Sequence, residues 1–156
     1  MDEIDTKILR EINHDGRISI QQLSAAVGLS PSPCSRRLKA LEDAGYIRGY
    51  KALLSEPKLG FSVSVFVSVQ LDRQIDDALE RFETEVRACP DVVDCWLMTG
   101  NRDYLLRVVS RDLSDFEQFL THTLTRIAGV ASIESSIPLR QVKSDICRAP
   151  ELPKRK

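Results

Sequence analysis

The chain is predicted to be α+β, with three short helices followed by a β-α-β-β-α-β unit whose four strands form an antiparallel sheet. Three observations lead there. Apolar residues recur at helical spacing through the first 45 or so positions, broken by residues that start and stop helices. FSVSVFVSVQL, from Phe61 to Leu71, alternates with a period of two. Helix and strand patterns then follow in the order β, α, β, β, α, β, the order of a ferredoxin-like split β-α-β fold.

In the first helix Ile4, Ile8, Leu9 and Ile12 share one face, and His14-Asp15-Gly16 closes it. Ser19 opens the second, where Gln22 three residues later completes a capping box, Leu23, Ala26 and Val27 form the apolar face, and Gly28 ends it. For the third, SPSPCSRRLKALEDAGYI places Ser32 as cap and Pro33 as first helical residue, since a proline there gives up an N–H that has no helical partner. Cys34, Leu38 and Leu41 then form the core stripe, Ser35, Arg36 and Lys39 point elsewhere, and Arg37 lies on the border. Ala44-Gly45 supplies the stop. The second and third helices, joined through Val27-Gly28-Leu29-Ser30, have the spacing of a helix-turn-helix.

Residues 48–60 are expected to be an extended linker or wing strand, with SEPKLG as a turn-rich connector. This divides the chain into a helix-turn-helix domain at 1–47, a ferredoxin-like effector-binding and dimerisation domain at 61–143 and a C-terminal tail at 144–156, loose at its end. In the first strand only the set Phe61, Val63, Val65, Val67, Val69 and Leu71 can lie under helices, leaving Ser62, Ser64, Phe66, Ser68 and Gln70 on an uncovered face. Such a mixed surface suits burial against a second copy, so a homodimer is expected. Ile75, Leu79, Phe82 and Val86 mark the next helix, CPDVVDCWLM and DYLLRVVS two strands, Leu113, Phe116, Leu120, Leu124 and Ile127 the second helix, and GVASIESSIPL the last strand.

Composition excludes several classes of function. The formal net charge is -1 and the pI about 6.1, which argues against a surface coated with basic residues for indiscriminate nucleic-acid binding. Charge placement says more: between Pro31 and Lys51, Arg36, Arg37, Lys39, Arg48 and Lys51 face only Glu42 and Asp43. No apolar run approaches the roughly 18 residues of a membrane span, and the acidic start is unlike a secretory signal, so a cytoplasmic protein is expected. Cys34, Cys89, Cys95 and Cys147 form no C-x-x-C pair, and His14 and His122 stand at no metal-ligand spacing to them; neither a metal site nor a disulfide framework is expected. With no phosphate loop and no nucleophile beside a base, no catalytic residue and no cofactor are assigned.

Two stretches are candidates for binding. On the third helix Ser32, Ser35 and Arg36 can reach base edges in the major groove, while Arg37 and Lys39 suit phosphates. The plain alternative is a solvated face paired to Glu42 and Asp43. The second is Thr99-Gly100-Asn101-Arg102-Asp103-Tyr104, which as a bare pattern is a β-turn. Read as a site, Gly100 lets a ligand approach backbone N–H groups that take a carboxylate, and Asp103 or a nearby carbonyl answers an ammonium. Met98 flanks this loop, and like Trp96 also suits a core or interface place. Ser135 and Ser136 either line the same pocket from a neighbouring subunit or face solvent.

IDTKILREINHDGRIS ahead of LSAAVGLSPSPCSRRLKALEDAGYI, TGNRDYLLRV, and IAGVASIESSIPLRQVK together resemble the Lrp/AsnC family of bacterial and archaeal transcription regulators across nearly the whole chain. The resemblance implies an N-terminal winged helix-turn-helix that binds double-stranded DNA. It also implies a C-terminal domain that dimerises, assembles further into tetramers or octamers, and binds a small effector, typically an amino acid. The family's G-N-x-D-Y pattern matches at Gly100, Asn101, Asp103 and Tyr104, whereas Arg102 departs from the aromatic often found there. The alternative from another class is a metabolite-binding oligomeric scaffold whose N-terminal domain contacts proteins.

Overall fold

The computed structural model describes residues 1–73, 76–144 and 147–151. Ile75, expected on the helix after the first strand, and the end of the tail from Leu152 to Lys156 lie outside the described residues. The chain divides into two units, Met1–Leu53 with the tail from Lys143, and Leu54–Val142.

The helical unit consists of α1 (Glu3–His14), α2 (Ile20–Val27) and α3 (Pro31–Asp43). α1 begins with a capping box in which the Asp2 carboxylate accepts from the Asp5 N–H at 2.8 Å and the Asp5 carboxylate accepts from the Asp2 N–H at 2.9 Å. α2 has the expected box: Ser19 Oγ accepts from Gln22 N–H and Gln22 Oε1 from Ser19 N–H. Gly28 ends α2 at φ +75°, a left-handed conformation that favours glycine, with the Leu29 N–H reaching back to the Ser24 carbonyl. This tight turn brings α3 across α2. Ile8, Leu23, Val27, Cys34 and Leu41 fill the core between the three helices, with Leu38 partly buried beside them.

α3 starts earlier than expected. Ser30, not Ser32, is its cap residue, and Pro31 is the first helical position. Two Ser-Pro pairs in succession offer the same local signal twice, and Pro33 fits as well because the first-turn N–H groups have no partner inside a helix. Ser32 therefore lies within the first turn.

Residues 48–55 are without helix or strand and Pro57–Leu59 form a 3-10 turn, so the expected extended stretch forms no sheet ladder among the described residues. Among the described residues the sheet holds four strands, and none of them pairs with this stretch. The sheet unit then runs β1 (Val63–Leu71), α4 (Asp76–Ala88), β2 (Val92–Leu97), β3 (Tyr104–Ser110), α5 (Leu113–His122) and β4 (Val130–Ser136). Strand order is β2-β3-β1-β4, every pair antiparallel. Val65, Val67, Val69 and Leu71 pack with Phe82 and Val86 of α4 and with Phe116 and Phe119 of α5, so both helices cover one face. α5 ends at His122, and a 3-10 turn at Leu124–Arg126 resets the phase: Leu124 is buried, whereas Leu113 at the helix start is exposed.

The opposite face carries Ser64, Phe66, Ser68 and Gln70 of β1. The registers add Trp96 of β2, Leu105 and Arg107 of β3, and Ser132, Glu134 and Ser136 of β4. Arg107 is held there by Asp94 at 3.0 Å and by Glu56 at 3.1 Å.

Candidate DNA-reading helix and ligand loop

On α3, Cys34 and Leu41 point inward, and burial raises the Cys34 thiol pKa above its ordinary value. Ser32, Ser35, Arg36 and Lys39 stand on the exposed side at spacings of three and four. Among the described residues, neither Arg36 nor Lys39 makes an ion pair with Glu42 or Asp43. Glu42 instead accepts from the Tyr50 hydroxyl at 2.8 Å, and Tyr50, whose ring is partly desolvated, has its pKa pushed up to about 12. One short face thus offers two hydroxyls and two cations.

Arg37 is placed differently. Its Nη1 donates to Asp2 at 2.7 Å and to Asp5 at 2.8 Å, tying α3 to the N-terminus of α1. The Asp2 carboxyl is held below its usual range, first by the Asp5 N–H and then by Arg37. The expected phosphate contact at Arg37 meets a guanidinium already occupied inside its own unit. Border position in the sequence pattern signalled something of this; the partners, more than thirty residues away, did not show.

In the sheet unit, residues 98–103 connect β2 to β3. Met98, Thr99, Gly100 and Asn101 are exposed together, and Gly100 sits at φ +112°, where a side chain would strain the turn. Asp103 and Tyr104 turn inward. Asp103 is 5% exposed; its carboxylate accepts from the Leu71 N–H at 2.7 Å, and its own N–H donates to the Val69 carbonyl at 2.9 Å. That carboxylate serves the end of β1, at the register shift between Gln70 and Leu71. Tyr104 is buried, its ring 4.5 Å from that of Phe82 and its hydroxyl donating to Glu83 at 3.1 Å. Burial raises the phenol pKa well above its ordinary value, so it is neutral at physiological pH.

Below the Leu97–Tyr104 pair that opens the loop, a cleft of about 390 Å³ lies between α4 and β2, lined by Glu83, Val86, Val93, Cys95, Leu97 and Tyr104 among others. Cys95, exposed along the sheet edge, turns its thiol toward this cleft, and burial there pushes the pKa up to about 11. Ser135 and Ser136 are not brought to the loop within the chain. They pair with Val67 and Phe66 midway along β1, whereas the loop begins beyond Val69. Sequence reasoning missed the reach of Arg102, whose side chain meets Gln70, Ser132 and Glu134 across the open sheet face. No group of acids, histidines and cysteines able to hold a metal ion occurs among the described residues.

Two family models match. One, described as a winged helix-turn-helix DNA-binding domain, covers residues 1–48, and the other, the Lrp/AsnC ligand binding domain, covers residues 64–146. The chain is 49% identical over 142 residues to the Bkd operon transcriptional regulator of Pseudomonas aeruginosa, spanning 91% of this chain and 93% of that protein. It is 41% identical to the leucine-responsive regulatory protein of Escherichia coli strain K12, over 92% of this chain and 87% of that one. Among solved structures, a Neisseria meningitidis transcriptional regulator in complex with L-Met superposes with a TM-score of 0.91 at 40% identity, covering 97% of both chains.

Proposed function

Because the chain belongs to the Lrp/AsnC family of transcription regulators, we propose that it reads DNA through the exposed side of α3 and answers an amino acid held at the 98–103 loop. It is a transcription regulator with a DNA-binding helix-turn-helix and an amino-acid-binding domain, and not an enzyme.

The observation that carries the residue-level reading is the division of labour along α3. Ser32, Ser35, Arg36 and Lys39 are exposed, while Cys34 and Leu41 fix the helix from below and Arg37 fixes it from the side. A helix anchored on two sides presents hydroxyls and a guanidinium to base edges with little further ordering, and Lys39 serves a phosphate. At the loop, the N–H groups around Gly100 take the effector's carboxylate and Met98 and Leu97 offer apolar contact. Asp103 and Tyr104 support the loop from beneath. Ser135 and Ser136 reach an effector only from a second subunit.

The open face with Phe66 and Trp96 pairs with a second copy, giving a dimer that can assemble further, and the protein works in the cytoplasm. Among the described residues no helix is long and apolar enough to cross a membrane. A symmetric dimer reads two half-sites about one DNA turn apart, or a multiple of it. Effector acts by preferring one assembly over another, because equal affinity for both would shift nothing.

DNA titrations across a range of salt test the first half. Replacing Arg36 and Lys39 with alanine should weaken binding and make the salt dependence shallower by about 0.9 for each phosphate that is no longer neutralised. An unchanged affinity and slope would remove α3 as the reading helix.

A further inference from the structure

Arg102 does more than decorate a turn. Its Nη1 donates to Gln70 Oε1 at 3.3 Å and to Ser132 Oγ at 2.5 Å, and its Nη2 to Glu134 Oε2 at 3.0 Å. Ser132 Oγ in turn donates to Gln70 Oε1 at 3.2 Å. These three acceptors sit on β1 and β4, on the face of the sheet that no helix covers. A residue from the β2–β3 connection is therefore fastened across β1 to the outermost strand. Its neighbour Asp103 is fastened to Val69 and Leu71, and the Asp103 carbonyl accepts from the Met98 N–H at 2.8 Å. Thr99, Gly100 and Asn101 are left between these anchors with no hydrogen bond among the described residues.

We propose that Arg102 is the positioning residue that sets the shape of the ligand loop and links it to the open sheet face, so that an amino acid held by residues 99–101 is felt by Gln70, Ser132 and Glu134. The inference rests on the effector reading given above. A guanidinium suits the task because its planar fork holds several acceptors in one geometry, which the single ammonium of lysine cannot reproduce. The loop has one stretch free to follow a ligand and one rigid strut running to the surface through which copies associate. A ligand that pulls on the first must strain or relieve the second, and that difference between assemblies is what lets binding change association.

The test uses the full-length protein and, as probe, whichever proteinogenic amino acid most raises its thermal midpoint. The first variant is Arg102→Ala. It should weaken the probe about tenfold, within the range of ordinary site-to-site coupling, and abolish the probe's effect on sedimentation. Arg102→Lys should fall between the two proteins, and it decides the matter if the alanine variant does not fold. Probe affinity and sedimentation response equal to wild type in the folded variant would overturn the inference. A wild-type protein that binds no amino acid would overturn the effector reading and this inference with it, an outcome told apart by needing no variant at all.

Discussion

Arg36 and Arg37 are adjacent and chemically identical, yet their surroundings give them opposite work. The first is exposed without an acidic partner on its own helix, and the second bridges Asp2 and Asp5 of α1. Arg37→Ala should therefore lower the thermal midpoint of the helical unit, whereas Arg36→Ala should leave it where it is, as circular dichroism melts of the two variants would show. The pH dependence follows from Asp2. Its folded pKa is depressed, so the stabilisation is present above the unfolded carboxylate value, about 4, and is lost as pH falls through the lower folded value. The gap between wild type and Arg37→Ala should shrink across that acidic window. Sequence could place Arg37 at the edge of the core stripe because the stripe is local. It could not find the two aspartates, because nothing in helical periodicity says which distant helix end will lie alongside.

At the scale of elements, what could be read was whatever is settled within three or four residues. The Ser19–Gln22 box, the glycine that ends α2 and the alternation of β1 are of that kind. The start of α3 was not, since Ser30-Pro31 and Ser32-Pro33 repeat one signal within three residues. The two serine caps differ in a measurable way. Ser19→Ala should cost the helical unit about 1 kcal/mol by urea unfolding, as loss of a bonded N-cap does. Ser30→Ala should cost much less, because the Ser30 side chain makes no cap hydrogen bond. The ligand loop shows the same limit: the turn at Gly100 was legible, but the inward aim of Asp103 and the reach of Arg102 depend on β1 and β4 lying side by side.

Over the whole molecule, two cores are built from separate sets of side chains, Leu23 and Cys34 in one, Val67 and Phe82 in the other. Leu23→Ala should destabilise the helical unit by about 2–5 kcal/mol. Amide exchange should then quicken in α1 to α3 while protection along β1 and β3 holds, the signature of units that open separately. The order of elements in both units was readable from pattern alone. The destination of the tail was not: residues from Lys143 onward group with the first 53, and Cys147 Sγ meets Asn13 Oδ1 at the end of α1. The start of the chain and Cys147 thus belong to the unit that carries α3. An affinity handle fused at the front extends the very residues that cap α1 and grip Arg37, and one fused at the back is joined to the segment whose Cys147 meets α1. Binding curves from either fusion would measure the handle along with the protein, so cleaving it before the first titration is part of the experiment's design.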